Sequence, residues 1–454
     1  MAYELTLIGG GVAGVLTAIN ALRQYPNMRV AIIEMQTNLG LGIAYSAQND
    51  YHLLNVAAGS MSAFPNQATH FYDWLCENGY KYRSEDFVPR RIYGLYIQNL
   101  CKQFLYPCPH FSHIQQEAIN MNTLGAEFGI VLKNGETLRS RQVVLATGNV
   151  FYKELPIFAG VKANHYHDKP WTESFLAHIK PQEDVLILGT GLTMVDTVVS
   201  LFKKRHKGQI YAISRNGYVP FPHYKPSIKY PNYSQEVLVA ANLREVVELV
   251  RAHCEKALLR NIPVGAVIDV IRPHIQTFWQ KASLQEKRWF SKEMAALWSV
   301  VRHRVPQRYS NLLMDLHFQR RQFEAMAGEV EGLEVAENGT YKVAVLEKQH
   351  HTHQHIHCQH IINCIGFDFD LEKHPHSLLT QLAHKGIIAK DELGMGIHID
   401  ENLNIIDLQG ETQKNLYAIG SLLKGTLFET TALREIREQA AFISQQLAVS
   451  SEQS

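Results

Sequence analysis

Residues 3–23, YELTLIGGGVAGVLTAINALR, decide the fold that this sequence predicts. A short apolar run, Tyr3–Ile8, leads into three glycines, and apolar residues then recur at helical spacing. Residues 29–34, RVAIIE, form a second apolar run with the length of a strand. This order of strand, glycine turn, helix and strand predicts the opening of a doubly wound parallel sheet.

The glycine turn fits the pattern G-x-G-x-x-G, with Gly9, Gly11 and Gly14 as its glycines. The first glycine permits a tight turn, the second lets the backbone approach a pyrophosphate, and the third lets helix and strand pack closely. The helix that follows points its free N–H groups at the phosphates. Glu34 ends the second strand, where a carboxylate can accept the ribose hydroxyls. The sequence therefore predicts a dinucleotide site at Gly9, Gly11, Val12, Ala13, Gly14 and Glu34.

A second opening of the same kind begins at residue 184. An apolar run at 184–188 leads into Gly189-Thr190-Gly191, and helix and strand patterns follow, although Met194 takes the place of the third glycine. Arg215 follows the second strand of this unit. An acid there would repel a 2′-phosphate, whereas a guanidinium can pair with one. We predict that Gly189, Gly191 and Arg215 bind NADPH; the alternative is a surface arginine beside a structural unit.

The two openings predict an α/β fold with two Rossmann-type dinucleotide-binding domains and helical insertions. We place the first segment of one domain at residues 1–165 and the second domain at 166–330, with a helical insertion at 235–325. Residues 331–454 are expected to return to the first domain and to end in an amphipathic helix over about 429–447.

Composition favours a small-molecule enzyme. The 454 residues carry a net charge of +1 and are 46% apolar, which gives no electrostatic reason to expect a nucleic-acid or anionic-membrane partner. No apolar run approaches the ~18 residues of a membrane span, and the start lacks a basic leader. Six scattered cysteines without a CxxC pair suit a reducing compartment, so we expect a cytoplasmic protein. The sequence is compatible with a homo-oligomer.

Residues 350–360 hold an unusual number of histidines. The cluster comprises His350, His351, His353, His355, His357 and His360, with Cys358 among them. In a strand, His353, His355 and His357 would share one face and could form a metal-binding comb. No carboxylate lies nearby in sequence, so we favour a solvated hairpin between two strands and predict no metal.

Motifs along the chain carry a family resemblance. They are GLGIAYS at 40–46, HLLNV at 52–56, MS at 61–62, VPRRIYG at 88–94, IRPH at 271–274, RHR at 302–304, and the terminal stretches 420–425 and 429–432. With them the sequence resembles the YdhS-like, FAD-dependent urate-hydroxylase-like family of FAD/NAD(P)-binding proteins. That family is similar in architecture to class B flavin monooxygenases.

The resemblance implies FAD on the first Rossmann unit and NADPH on the second. Further cofactor contacts are implied at Gly42, Arg91, Thr147, Gly148, Gly420, Thr430 and Thr431. Asn55 is our candidate for a catalytic polar contact near the flavin, and a plain turn residue is the equal alternative.

The implied activity is a single-component monooxygenase that uses FAD, NADPH and O2 to hydroxylate a small amine, amino acid or purine. One alternative is an NAD(P)H oxidase or reductase that passes electrons to a quinone or another acceptor. The missing CxxC pair removes a thiol relay but not these acceptors. A flavin-bound redox sensor or partner-binding module without turnover is the second alternative.

Overall fold

The computed structural model describes residues 2–149, 151–162, 164–336, 339–348 and 351–452. Its α/β architecture confirms the predicted fold class. The strands are β1 (Tyr3–Ile8), β2 (Val30–Ile33), β3 (Phe111–Ile114), β4 (Ala118–Leu124), β5 (Glu127–Leu132), β6 (Thr137–Leu145), β7 (Phe151–Tyr152), β8 (Tyr166–His167), β9 (Val185–Leu188), β10 (Ile210–Ser214), β11 (Phe323–Val335), β12 (Tyr341–Glu347), β13 (Thr352–Cys358), β14 (His360–Asn363), β15 (Phe367–Asp368), β16 (Asn404–Ile406) and β17 (Thr412–Ala418).

The helices are α1 (Val12–Gln24), α2 (His70–Glu77), α3 (Arg90–Leu100), α4 (Leu192–Lys203), α5 (Ser234–Leu238), α6 (Leu243–Leu258), α7 (Val264–Ile271), α8 (Ile275–Lys281), α9 (Leu284–Glu293), α10 (Ala295–Arg302), α11 (Gln307–Met314), α12 (Leu378–His384), α13 (Lys424–Leu427) and α14 (Leu433–Glu452). Single π-helical turns extend α3 over Cys101–Leu105 and α11 over Asp315–Gln319. Short 3-10 turns occur at Ala58–Ser60, Pro156–Phe158, Pro170–Thr172, Ser174–Ala177, Arg272–His274, Leu371–Lys373 and Gly420–Leu423. Among the described residues, none of these helices combines the length and apolarity needed to cross a membrane.

The chain forms two compact units. Unit 1 comprises residues 1–50, 56–151 and 368–454, and unit 2 comprises residues 51–55 and 152–367. The predicted divisions at 165/166 and 330/331 therefore differ from the observed ones. Residues before 166 belong to unit 2 because Phe158 packs in the core of its sheet, and residues after 330 belong to it because β14 pairs with β9 and β11 with β10.

The sheet of unit 1 has the strand order β16-β17-β6-β1-β2-β3, with the β4–β5 hairpin joined to β6. Neighbours from β17 to β3 run parallel, so their carboxyl ends meet at one edge of the sheet. Leu5, Leu7 and Ile32 are fully buried, because helices cover both faces of a parallel sheet. In such sheets, ligands bind at the carboxyl edge.

The sheet of unit 2 has the order β13-β12-β11-β10-β9-β14-β8. Strands from β11 to β8 are parallel, whereas β11, β12 and β13 form an antiparallel meander at the other edge. Helices α5 to α11 intervene in sequence between β10 and β11. The second glycine turn follows β9, an internal strand of this sheet between β10 and β14.

A buried chain of polar side chains lies in unit 2. His167 Nε2 and His360 Nδ1 are 3.2 Å apart, and His360 Nε2 lies 3.1 Å from Glu183 Oε2. Burial lowers the pKa of His167 to about 3, and the neighbouring His360, His178 and His165 lower it further. Burial also lowers the pKa of His360, against the opposing effect of Glu183.

This cluster makes the stability of the protein sensitive to acid. The pKa of His167 in the unfolded chain is about 6.5, so below that pH the unfolded state binds a proton that the folded state excludes. The stabilisation is thus complete above pH ~6.5 and is lost as the pH falls towards ~3. Urea titrations at pH 7 and pH 5 should show a loss of about 2 kcal/mol in the free energy of unfolding from this group. His167→Asn should remove that part of the difference, and the exposed His353→Asn should not.

Candidate functional site

Two glycines of the first turn are required by packing. Gly9 has φ +111°, and a Cβ on it would lie 2.3 Å from the carbonyl oxygen of Ala146. A Cβ on Gly14 would lie 2.0 Å from the carbonyl oxygen of Gly9. Real Cβ atoms do not approach oxygen so closely, so a side chain at either position would displace the turn, the strand β6 or the helix α1.

Gly11 differs because its missing side chain leaves open space. It has φ −68° and precedes α1, and the closest atom to a Cβ built on it is the Cα of Gly42, at 3.9 Å. Gly42, with φ +50°, faces it in return. We call Gly11, Gly42 and the N-terminus of α1 the first cradle. It presents N–H groups without side chains, as a pyrophosphate requires.

Glu34 lies beside the first cradle. One carboxylate oxygen accepts a hydrogen bond from the Gly10 N–H at 2.9 Å, and the other accepts one from Gln36 N–H at 3.0 Å. These bonds fix the carboxylate next to the glycine turn, and each oxygen keeps lone-pair capacity for a ribose hydroxyl. The arrangement fits the predicted role.

Two hydroxyls stand at the carboxyl edge of the sheet without protein partners. Thr147 follows β6 and Ser421 follows β17, and these strands are paired in register. The Oγ atoms of both residues are buried and have no hydrogen-bond partner within the described part of the chain. Buried hydroxyls are rarely left unsatisfied, so the pair makes this edge a candidate site for a polar ligand.

The residues next to these two hydroxyls are glycines, so the backbone there carries no side chain. Gly148 has φ +68° and Gly420 has φ +75°, and a Cβ on either would meet nothing within 4 Å. Only glycine adopts these angles easily, so the chain can turn at the sheet edge and leave room beside it. Gly148 and Gly420 therefore fit the predicted cofactor contacts.

Thr430 supports this edge from within. It is 1% exposed, and its hydroxyl donates to the carbonyl oxygen of Gly420 at 3.0 Å while accepting from Gln439 Nε2 at 2.7 Å. Gln439 Oε1 also accepts the Gly420 N–H at 3.0 Å. The Thr430 hydroxyl is thus engaged in positioning Gly420, whereas Thr431 is exposed just before α14.

Two predicted contacts lie in other surroundings. Arg91 donates through Nη2 and Nε to Asp50 Oδ1, at 2.6 Å and 3.1 Å. Asn55 belongs to the 51–55 segment of unit 2, and its carbonyl oxygen accepts a hydrogen bond from His223 Nε2 at 2.9 Å. The structure thus gives Arg91 an ion-pair partner and ties the Asn55 backbone to unit 2.

The second glycine turn repeats the geometry of the first. Gly189 has φ +100°, and its Cβ would lie 2.5 Å from the carbonyl oxygen of Cys364. Gly191 has φ −82°, and a Cβ on it would meet nothing within 4 Å. We call Gly191 and the N-terminus of α4 the second cradle. Met194, in place of the third glycine, is fully buried.

Hydrogen bonds tie the second turn to the end of β10. Thr190 Oγ1 donates to the carbonyl oxygen of Tyr218 at 2.6 Å and lies 2.8 Å from Ser214 Oγ. Gly217 N–H donates to the same Ser214 Oγ at 3.0 Å. The loop that carries exposed Arg215 is therefore anchored to the second cradle, as a contact with the ribose 2′ position requires.

Arg215→Ala tests that placement. A charged hydrogen bond to phosphate contributes about 1.5–3 kcal/mol, so NADPH should bind roughly ten- to a hundredfold more weakly. NADH binding should change little, because its ribose carries no phosphate. Titration of both nucleotides into the variant measures this, and an equal loss for the two would assign Arg215 a structural role.

The histidine cluster lies in the antiparallel hairpin that β12 and β13 form, with His353, His355 and His357 on the strand β13 and not in the turn. His353, His355 and His357 lie on the exposed face of the strand β13, while Cys358 and His360 are buried; His350 lies outside the described residues. Their exposure follows from strand alternation. His353 Nδ1 pairs with Glu331 Oε2 at 3.1 Å, a carboxylate that sequence proximity did not reveal. No group of three metal-ligating side chains occurs among the residues that the structure describes.

Three buried cysteines and the partly buried Cys254 carry protonated thiols. Burial raises the pKa of Cys101, Cys358 and Cys364 to about 12 and that of Cys254 to about 11. Thiolates, not thiols, attack disulfides. These four side chains are therefore poor nucleophiles at neutral pH.

Two Rossmann-type units, each with an open glycine cradle, define a protein built to hold dinucleotides. Residues 6–150 match the model of a family described as FAD-NAD(P)-binding. The match confirms the predicted FAD/NAD(P)-binding domain at the start of the chain, and the narrower YdhS-like resemblance stays a prediction. A search of curated protein sequences gives no match.

Solved structures share the whole fold at low identity. An ornithine N-hydroxylase from Kutzneria sp. 744, solved with reduced FAD, NADP+ and L-ornithine, matches 99% of this chain and 100% of its own at a TM-score of 0.68 and 15% identity. The FAD-bound cadaverine monooxygenase of Erwinia amylovora matches 99% and 95%, at 0.69 and 11%. Bacillithiol disulfide reductase from Staphylococcus aureus matches 99% and 99%, at 0.59 and 14%. This chain is thus similar in fold to these three oxidoreductases, two of which were solved with FAD.

Proposed function

We propose that this protein is an FAD-dependent, NADPH-using monooxygenase that hydroxylates a small amine, amino acid or purine. The observation that carries the proposal is the presence of two separate open cradles, at Gly11 and at Gly191, each with the backbone geometry of a pyrophosphate site. One dinucleotide could serve a simple dehydrogenase, whereas two are needed when a nicotinamide must reduce a bound flavin.

The residues of unit 1 suit FAD. The first cradle would hold the pyrophosphate, and Glu34 would accept hydroxyls of the adenosine ribose. The unpartnered hydroxyls of Thr147 and Ser421, beside the open Gly148 and Gly420, would supply hydrogen bonds further along the same edge. When bound, FAD would supply hydride acceptance and the activation of O2.

The residues of unit 2 suit NADPH. The second cradle would hold its pyrophosphate, and Arg215 would pair with the 2′-phosphate. Because Thr190 and Ser214 anchor the Arg215 loop to the glycine turn, the two contacts are set at a fixed distance before the nucleotide binds. Such preorganisation lowers the entropic cost of binding.

Four of the six cysteines are poor candidates for the thiol relay of a disulfide reductase. The fold is shared with a bacillithiol disulfide reductase, so a reductase is the alternative that the comparisons favour. The three buried cysteines and the partly buried Cys254 have raised pKa values and are disfavoured as relays, since a relay needs a reactive thiolate. A reductase of quinones or other acceptors needs no such thiol and remains the second candidate.

Isotope incorporation distinguishes these functions. The FAD-loaded protein is incubated with NADPH, 18O2 and a pool of amines, amino acids and purines, with Gly191→Val as the control that should not consume NADPH. A monooxygenase should yield a product that carries one 18O atom, in proportion to the NADPH consumed. Hydrogen peroxide should fall as the product rises.

Other outcomes would overturn the proposal. NADPH oxidation that no organic substrate stimulates, together with rapid turnover on quinones, would identify the reductase. If neither NADPH nor NADH reduces the bound flavin, the protein is the redox sensor or partner-binding module without turnover.

A further inference from the structure

Three charged side chains gather at one corner of the second site. Arg215 follows β10, Glu329 lies in β11, and Lys348 follows β12. Ser214 is the register partner of Ala327, and the Lys348 N–H donates to the carbonyl oxygen of Ala327 at 3.0 Å. The strand pairing itself therefore brings Lys348 and Glu329 to the end of β10.

Glu329 lies under the influence of both cations. Lys348 Nζ lies 2.7 Å from Glu329 Oε1. The hydrogen bond and charge of Lys348, and then the charge of Arg215, hold the pKa of the Glu329 carboxyl below its usual range. The carboxylate is consequently ionised at neutral pH, and it is close enough to Arg215 for the two charges to interact.

We propose that Glu329 and Lys348 set the degree to which the second site prefers NADPH to NADH, with Glu329 weakening this preference and Lys348 strengthening it. The inference rests on the proposed binding of NADPH at Gly191 and Arg215. It assigns cofactor selectivity to one residue on strand β11 and one that directly follows strand β12, both outside the glycine motif.

The physical argument concerns charge at the ribose 2′ position. A carboxylate repels a 2′-phosphate but accepts a hydrogen bond from a 2′-hydroxyl, which is how Rossmann sites select NADH. Glu329 therefore opposes the effect of Arg215. Lys348 pairs with that carboxylate and adds a cation, so the corner keeps a net charge of +1 and still favours phosphate.

The same two strands supply a matched control. Lys342 Nζ pairs with Glu334 Oε2 at 3.1 Å, again between β12 and β11, with Glu334 exposed and Lys342 partly exposed. Glu334 and Lys342 are register partners towards the end of the ladder away from Ser214 and Arg215. Substitutions there change the same kinds of charge at a site without the arginine.

The test is binding of NADP+ and NAD+ to the FAD-loaded, oxidised protein by calorimetry, which involves no turnover. Its quantity is the Kd for NAD+ divided by the Kd for NADP+. Because the groups are exposed, we expect Glu329→Gln to raise this ratio about three- to fivefold and Lys348→Met to lower it about as much. Glu334→Gln and Lys342→Met should leave it within about twofold of the wild-type value.

The outcomes separate this inference from the proposed function. Suppose that the wild-type protein binds NADP+ but the Glu329 and Lys348 variants change the ratio of the two Kd values no more than the control variants do. The inference about selectivity is then wrong, and the proposed NADPH-using function is unaffected. If the wild-type protein binds neither nucleotide, the proposed function fails first. Retained FAD in every variant shows that unit 1 is folded, and an unchanged melting curve shows that unit 2 is folded as well.

Discussion

Gly11→Val should produce a folded protein that no longer retains FAD. The residue has φ −68° and ψ −173°, which any amino acid adopts, and the nearest atom to an added Cβ is 3.9 Å away. The new side chain would instead fill the space of the pyrophosphate. We expect FAD affinity to fall at least about a hundredfold, or ~2.7 kcal/mol, measured as flavin absorbance per chain after reconstitution.

The control for this prediction is Gly160→Val. Gly160 is exposed, a Cβ there meets nothing within 4 Å, and its φ lies outside the left-handed region. It should keep one FAD per chain. Gly11→Ala should fall between the two, since a methyl group intrudes less. If Gly11→Val stays yellow with unchanged FAD affinity, FAD does not bind at the first cradle. If the wild-type protein never becomes yellow on reconstitution, it does not bind FAD at all.

The glycine turns are the features whose backbone geometry the sequence predicts best. Their requirements are local: Gly9 and Gly189 need positive φ, and Gly14 needs contact with Gly9. A backbone requirement of this kind excludes nearly all other residue types, so it leaves a pattern that is visible in one sequence. Strand and helix bounds next to these turns also agree, for example Tyr3–Ile8 for β1.

The unit boundaries could not be predicted in the same way. The sequence placed the return to the first domain at residue 331, but β11 runs on from Phe323 to Val335 and pairs with both β10 and β12. The pairing partner of a strand depends on residues far away in sequence. The apolar periodicity within a strand does not identify that partner. The final helix likewise begins at Leu433 and not near residue 429, since 429–432 lie in the preceding turn.

Side-chain partners were hidden for the same reason. Thr430 was expected to contact a cofactor, and the structure shows its hydroxyl bonded to Gly420 and Gln439. The pairing of Glu329 with Lys348 also joins residues from different strands. A motif identifies a residue type at a position, whereas the hydrogen bonds of that residue are decided by the fold around it.

Gly191→Val should produce the opposite result to Gly11→Val: a yellow protein that NADPH cannot reduce. Gly191 has φ −82° and ψ −162°, and a Cβ on it meets no atom within 4 Å, so the fold should tolerate the change. The valine would occupy the second cradle, and NADP+ affinity should fall at least about a hundredfold. Stopped-flow reduction by NADPH and calorimetry with NADP+ measure the two effects.

Dithionite, which needs no nucleotide site, should still bleach the flavin of Gly191→Val and so show that the bound cofactor is intact. Because Gly11 and Gly191 lie in different units, each substitution should spare the other site. Loss of both cofactors in one variant would mean that the cradles do not bind independently. Normal reduction of Gly191→Val by NADPH would show that the nicotinamide binds away from the second cradle, and the roles inferred for Arg215, Glu329 and Lys348 would then fail together.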